Sequence, residues 1–339
     1  MPAKCYEDLR KEVWDRGTCS GCGACVAVCP ADALCFDEPG GALRPRNIGY
    51  CKQATDEVPC GACYHACPRT SKGTDDVFGQ YSKIVSARAT LEIPRKQSGG
   101  AVTAILASAL RENLIDAVVT VTEDRWTLRP SSVVITDKEE LIHQAGSRYN
   151  WWVPLVTALK TAVIDRKFRR LAVVGVPCVI QAIRNIRESD NDLLRPYGNA
   201  VRLTIGLFCT ETFDYSHLVG DILGKEHHIE SWKIDHLDVR GKLDVTMRDG
   251  TTLALPLKDI REAIRPGCHY CRDFTATSSD LSAGAVGSSP GHTTLIVRSE
   301  AGKMFVDNAV RSHALLLEGV VDEDAIERLG KAKIRRAME

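Results

Sequence analysis

Cys19-Ser-Gly-Cys22-Gly-Ala-Cys25-Val-Ala-Val-Cys29-Pro30 and, further on, Cys60-Gly-Ala-Cys63-Tyr-His-Ala-Cys67-Pro68 decide how this chain is read. The first stretch spaces its thiols as Cys-x-x-Cys-x-x-Cys, then adds a fourth before a proline. The second, preceded by Cys51, repeats that ending. Three thiolates on a tight glycine-containing loop reach three corners of one cubane, and the fourth corner comes from elsewhere in the chain.

Eight cysteines in that order are the ligand pattern of a ferredoxin with two [4Fe–4S] clusters. There the last cysteine of each run crosses to the other cluster. Cys19, Cys22, Cys25 and Cys67 are therefore expected to hold one cluster, and Cys51, Cys60, Cys63 and Cys29 the second. The long gap from Cys51 to Cys60 implies a loop and makes Cys51 the ligand that departs most from the pattern. A pair of zinc sites is the alternative, but zinc modules group ligands as separated pairs, whereas triplets followed by Cys-Pro favour the cubane. Cys5 and Cys35 fall outside the pattern and read as ordinary small side chains.

With 339 residues, the chain has room for a second, larger domain. Lys plus Arg equals Asp plus Glu, 44 against 44, so no global charge calls for nucleic acid as a partner. The amino terminus is charged, and the longest strictly apolar stretch, Leu171 to Ile180, is too short to span a bilayer. Fourteen cysteines without a secretory leader point to metal or redox chemistry in a reducing compartment. The expected location is cytoplasmic, with a peripheral place on the cytoplasmic side of a membrane complex left open.

Cysteine density falls after Gly73, and a boundary near residue 80 separates a ferredoxin-like module, 1–78, from a larger domain, 79–339. Candidate strands are Ile84 to Ala89, Ala117 to Val121, Ser132 to Ile135, Leu171 to Val176 and Val201 to Leu207, with a hairpin around Arg248-Asp249-Gly250. Val102, Ile105, Leu106, Ala109 and Leu110 follow helical spacing, as do Trp152, Val156, Leu159 and Val163. The expected class is α+β or α/β. A charged helix over Asp322 to Glu339 reads as a capping or docking element.

Gly99-Gly100 stands at the start of the first of these helices, where backbone N–H groups and the helix dipole favour an anion. A turn serving chain geometry alone is the competing explanation. A second cysteine group, Cys178, Cys209, Cys268 and Cys271, includes two members that follow candidate strands. Four thiols could meet at one edge and hold a cluster, or two could be structural beside a stray Cys-x-x-Cys.

From Lys83 onward the chain resembles the beta subunit of coenzyme F420-reducing hydrogenase and its relatives. The matching stretches include Gly99-Gly-Ala-Val-Thr103, Ala145-Gly-Ser-Arg-Tyr149, Val176-Pro-Cys178, Gly206-Leu-Phe-Cys-Thr-Glu211, Gly267-Cys-His-Tyr-Cys-Arg-Asp273 and Gly284-Ala-Val-Gly-Ser288. The resemblance implies a flavin-binding domain with FAD, coenzyme F420 as substrate and a third [4Fe–4S] cluster on Cys178, Cys209, Cys268 and Cys271. Hydrogenase beta subunits lack the amino-terminal module, so the arrangement looks more like the F component of archaeal F420H2 dehydrogenase.

The resemblance further implies an F420H2-oxidising oxidoreductase subunit. Hydride would pass to FAD, and single electrons would run through iron–sulfur clusters to a membrane respiratory complex, a ferredoxin or another redox subunit. Running the opposite way, as in a hydrogenase or formate dehydrogenase beta subunit, and a ferredoxin-dependent pigment reductase are the alternatives. Gly99, Gly100 and Thr103 are expected at the FAD phosphate, and Ser147, Arg148 and Tyr149 beside the flavin or F420. Arg148 could instead belong to a surface ion pair. Lys258, Gly287 and Ser288 are weaker candidates for the F420 tail or for flavin contacts. Redox chemistry of this kind requires no acid–base triad, and none stands out.

Overall fold

The computed structural model describes residues 4–36, 44–71, 73–151 and 156–339. Its largest element is an eight-stranded sheet built from β1 (Lys83–Ala89), β2 (Ala117–Glu123), β3 (Pro130–Ile135), β4 (Leu171–Gly175), β5 (Val201–Leu207), β6 (Leu281–Gly284), β7 (Thr293–Val297) and β8 (Leu315–Leu317). Across the sheet the order is β8-β1-β7-β6-β5-β4-β2-β3. The four strands β6, β5, β4 and β2 run parallel to one another, and the remaining neighbours pair antiparallel. The parallel centre is largely apolar, as buried parallel strands tend to be, with Thr204 and Ser282 as buried polar exceptions that are hydrogen-bonded.

Four long α-helices flank or cap this sheet: α1 (Ala101–Arg111), α2 (Pro177–Glu188), α3 (Glu300–Arg311) and α4 (Glu323–Arg336). On one face α1 and α3 bring Ile105, Leu106 and Phe305 against Val118, Leu203 and Ile205. On the other, α2 and the helical turns at Ala158–Asp165 pack Val179, Ile183 and Leu159 against Val119 and Val173. Each such side chain removed from water contributes about 1.5–3 kcal/mol before chain entropy is counted. Of the helical pattern anticipated from Trp152 onward, Trp152 itself lies outside the described residues, and Leu159 and Val163 are buried as their spacing implied.

The second face has an additional tenant. Cys22, Ala24, Val28, Ala62 and Ala66 of the cysteine-rich segment join the same apolar cluster as Val173 and Ile183. Small side chains at those positions let the two cysteine runs lie close against the sheet layer. The segment is thus packed onto the sheet and does not hang from it by a linker.

A small antiparallel sheet of Ile234–Val239, Lys242–Met247 and Thr252–Pro256 forms a side lobe under the helical segment Ser216–Glu226. Leu218, Leu243, Val245 and Ile260 fill its interior. The hairpin read around Arg248-Asp249-Gly250 is the turn between its last two strands, closed by Gly250 N donating to Met247 O at 3.0 Å. A two-residue parallel bridge, Asn150 opposite Phe213, ties this lobe to the segment that follows Arg148 and Tyr149.

Candidate functional site

Both cysteine runs fold by the same local rule. Gly23 and Gly61 adopt φ of 83° and 69°, the left-handed conformation glycine tolerates, and each caps a four-residue helix, Ala24–Ala27 and Ala62–His65. Cys25 and Cys63 leave from the first turn of these helices, with Cys22 and Cys60 just before the glycine. Cys25 has Cys22, Cys19 and Cys67 as its strongest thiol neighbours, and Cys63 has Cys60, Cys29 and Cys51. The structure therefore brings the last thiol of each run beside the other run. Cys29, Cys51, Cys60 and Cys63 line one small cavity together with Tyr6, Leu34 and Asn47.

The second cysteine group also converges. Cys209 faces Cys268, Cys271 and Cys178. Cys178, in the first turn of α2, feels Cys22 as well as Cys271 and Cys268. Two links thus join the three groups into a row: Cys178 to Cys22, and Cys25 to Cys63. Among the described residues, no three His, Cys, Asp or Glu side chains close on one point as they would around a single ion.

Burial pushes the thiols of Cys25, Cys63, Cys67 and Cys209 upward, neighbouring thiols push them further, and Cys178 is pushed up to about 12 by the same causes. Only the thiolate binds iron, so metal must displace protons that burial holds in place. Counter-charges stand nearby. Lys333 of α4 is 3% exposed and donates to Cys209 O at 2.6 Å and Asp273 O at 2.7 Å. Burial works against its charge, yet Cys271, Cys209 and Cys268 outweigh it and leave the ammonium favoured.

The sheet domain also grips the cysteine loops by their backbone carbonyls. Asn185 Nδ2 donates to Cys67 O at 2.8 Å, Asn191 Nδ2 to Cys60 O at 2.6 Å, Lys160 Nζ to Cys29 O at 3.0 Å and Val156 N to Cys22 O at 3.0 Å. Cys5 caps the first helix, accepting from Glu7 N, and lies near Cys51. Cys35 is half-buried in the strand Leu34–Phe36.

At the other candidate region, Gly99 packs so tightly that a Cβ would enter Ala87 O and Thr293 N, and its N–H already donates to Thr293 Oγ1 at 3.0 Å. In this structure the Gly99 N–H is thus taken by Thr293, and the residue packs closely between two strands. Gly100, with φ of 71°, caps α1 and leaves the N–H groups of Ala101, Val102 and Thr103 at the open helix end. Arg148 is not in a surface ion pair. Its Nε lies 3.7 Å from Glu123 Oε1, with both side chains largely buried. Burial pushes the Glu123 carboxyl up to about 7, against the pull of Arg148 and Arg95.

At Gln97 and along the stretch from Arg148 to Asn150, several buried polar atoms have no hydrogen-bond partner among the described residues: Gln97 Oε1, Arg148 Nε, and both amide atoms of Asn150, which is 3% exposed. Gln97 Nε2 meanwhile donates to Tyr149 Oη at 2.7 Å and to Asp238. Burial and Asp238 push the Tyr149 phenol up to about 12, so it stays protonated. Orphaned buried groups are rare and costly. A planar ring edge with alternating N–H and C=O groups would satisfy donors and acceptors together, and the pyrimidine edge of a flavin is such an edge. The residues fit that group. Beside them Arg95, Arg125 and Arg248 press on one another, with Asp235 3.4 Å from Arg95, an excess of positive charge suited to phosphate.

Other candidates go elsewhere. Ser147 is exposed, and its carbonyl accepts from Arg148 Nη1 at 3.2 Å. Lys258 is exposed on the short helix Leu257–Ala263. Gly287 is pressed against Ile326 of α4 and accepts from Asp322 N at 2.7 Å, while the Ser288 hydroxyl pairs with Thr294 Oγ1 at 2.7 Å. Gly287 and Ser288 are thus engaged in packing and hydrogen bonding within the fold. Gln97, Glu123, Asn150, Lys333, Arg69 and Arg265 were not singled out by sequence reading. Only Gln97, just before the glycine pair, carried a positional signal.

Residues 84–160 match the amino-terminal part, and residues 168–323 the carboxy-terminal part, of the coenzyme F420 hydrogenase/dehydrogenase beta subunit; residues 12–35 match a 4Fe-4S binding domain. A protein of Methanocaldococcus jannaschii without assigned function is 44% identical over 98% of both chains. The F component of the F420H2 dehydrogenase of Methanosarcina mazei is 30% identical over 98% of this chain and 91% of its own. A chain from the F420-reducing [NiFe] hydrogenase complex of Methanosarcina barkeri superposes with a TM-score of 0.72 at 30% identity, over 78% of this chain and 93% of that one. The chain belongs to the family of the coenzyme F420 hydrogenase/dehydrogenase beta subunit. It is a redox protein that joins a 4Fe-4S binding segment to the mixed α/β fold of that family.

Proposed function

We propose that this chain oxidises F420H2, accepting hydride on FAD and releasing single electrons through three [4Fe–4S] clusters to a partner protein. The observation that supports this most is the row of thiol groups, from Cys178, Cys209, Cys268 and Cys271 through Cys19, Cys22, Cys25 and Cys67 to Cys29, Cys51, Cys60 and Cys63. FAD supplies the conversion between two-electron hydride chemistry and one-electron transfer. The α1 amino terminus beyond Gly100 binds phosphate, with Thr103 at its edge, while Gln97, Arg148 and Asn150 orient the ring edge.

In this reading Tyr149, held protonated by Asp238 and burial, keeps its proton on the phenol and orients Gln97. Arg148 offers a permanent positive charge, which Glu123 counters above about pH 7. Residues 1–78 form the exit module and residues 79–339 the hydride-accepting domain. The cavity at Cys51 and Cys60 is the face from which a ferredoxin, a respiratory complex or another redox subunit takes electrons. Among the described residues no helix is long and apolar enough to cross a membrane. We place the chain in the cytoplasm, alone or against such a complex.

The likeness to a chain of the F420-reducing hydrogenase complex supports a second reading, the same row of groups run in reverse. Anaerobic mixing of iron–sulfur-reconstituted, FAD-loaded protein with F420H2 and a viologen dye tests the forward reaction. Viologen reduction is expected, and its absence at full cofactor content would overturn the proposal.

A further inference from the structure

Arg69 and Arg265 meet at the seam between the first and third thiol groups, each rooted in one cysteine loop and gripping the other. Arg69 follows Cys67 and Pro68. Its Nη2 donates to Gly267 O at 2.6 Å and its Nη1 to Tyr270 O at 3.3 Å, the residues just before Cys268 and Cys271. Its Nε turns back to Thr18 O at 3.0 Å, beside Cys19. Arg265 reaches the opposite way: its Nη1 donates to Ser20 O, between Cys19 and Cys22, while its own carbonyl accepts from Cys268 N at 2.9 Å.

The fit depends on missing side chains. A Cβ on Gly21 would enter the Arg265 guanidinium, and one on Gly267 would enter Cys19 O. Trp151 closes the pocket. Its ring lies 3.9 Å from the Arg265 guanidinium carbon, and its Nε1 donates to Gly21 O at 3.0 Å. Arg265 is 1% exposed, and its guanidinium stays charged at any ordinary pH. The sulfur-bearing side chains that act on it most strongly are Cys268, Cys19 and Cys178, drawn from both groups, with Asp214 after them. A charge this deeply buried needs an opposite charge. Thiolates of both groups would supply it once they hold metal.

We infer that Arg69 and Arg265 are a reciprocal clasp that fixes the spacing of the first and third clusters and, as permanent positive charge between them, raises the reduction potentials of both. The inference rests on the reading of both thiol groups as cluster ligands. A thiolate-bound cubane is anionic and gains one negative charge when reduced, so a fixed cation nearby favours the reduced form. In the step between the two groups, one cluster loses an electron and the other gains it. The net charge around the clasp is the same before and after, so a cation shared by both stabilises the electron on either side. These are positioning residues; neither is a cluster ligand.

The test is an anaerobic redox titration of the reconstituted full-length chain followed by EPR, with iron content measured on the same samples. Arg265→Gln is expected to keep the iron content of the unaltered chain. At a fixed ambient potential its reduced-to-oxidised ratio should fall about tenfold at the two flanking clusters, equal to about 59 mV for a one-electron couple. The cluster of Cys29, Cys51, Cys60 and Cys63 should keep its potential, and Arg265→Lys should recover part of the shift. Full iron with unchanged potentials would overturn the clasp's electrical role while leaving the cluster assignment intact. If Arg265→Gln loses iron, the decision passes to Arg69→Gln, which reaches the same seam from the other side. It is expected to shift the same two clusters by a smaller factor, and unshifted potentials there would overturn the inference. An unaltered chain that takes up no iron at these groups would remove the cluster reading itself and the inference with it.

Discussion

The cysteine-rich segment and the sheet domain share one apolar face but hold their shapes differently. The helices that carry the segment's thiols, Ala24–Ala27 and Ala62–His65, are four residues long, far below the length at which a helix sustains itself in water. Its own interior is Leu9, Val13, Trp14 and Leu34 with the cysteines themselves as filling. The sheet domain has seven-residue strands and helices of eleven to fourteen residues, with Ile, Leu and Val on both faces. In the proposed reading the first region takes its geometry largely from ligand bonds and the second largely from burial, so metal affinity in the first is folding energy.

Removing iron is the strongest way to separate the two. Anaerobic chelation should raise amide exchange across residues 19–67 by several orders of magnitude and leave β4 and β5 protected, read by mass spectrometry of exchanged peptides. Equal loss in both regions would show that the shared face around Cys22 and Ile183 makes them one cooperative unit. Less drastically, under the proposed three-cluster reading Cys67→Ser should cost about one third of the bound iron, because one cubane of the three would lose a buried ligand. Iron analysis should show this while the thermal transition of the sheet domain is kept.

The converse experiment attacks burial and spares the metal. Ile205 is fully buried at the centre of β5, and Ile205→Ala should lower stability by about 2–5 kcal/mol in urea unfolding with iron content unchanged. The smallest expected effect is a pH dependence confined to the sheet domain. Glu123 in the folded chain keeps its proton up to about 7, whereas its ordinary value is 4.5. The folded state therefore binds more protons between these values, and stability should fall as pH rises from about 4.5 to about 7, then level off. Urea midpoints of the unliganded protein should drop by the equivalent of about 1–3 kcal/mol over that window. Glu123→Gln should flatten the curve.

The same contrast explains what could be read from the sequence. Ligand spacing is chemistry written in the chain, so the grouping of Cys67 with Cys19 and of Cys29 with Cys63 was legible from order alone. The strands β1 to β5 were legible because each is a run of apolar or β-branched residues. The strands β6, β7 and β8 were not read: Leu281-Ser-Ala-Gly284 is short and small-residued, Thr293–Val297 is a five-residue run, and Leu315–Leu317 becomes a strand only by pairing with β1. Buried cations such as Lys333 and Arg265 were equally hidden. A lysine on a charged helix looks like a solvated one until the fold shows where that helix turns, and the bond from Gly99 N to Thr293 Oγ1 joins residues that no local pattern connects.

Lys333 also bears on the order of assembly. It is synthesised after all four cysteines of the pocket it enters, and its ammonium reaches Cys209 O and Asp273 O only once α4 has docked through Ile326 and Ile334. Until then the carbonyls of Cys209 and Asp273 lack the ammonium they accept from. Helix α4 thus brings the thiol pocket a buried counter-charge that exists only as a product of tertiary packing, and Lys333→Met would remove that charge while leaving the helix in place.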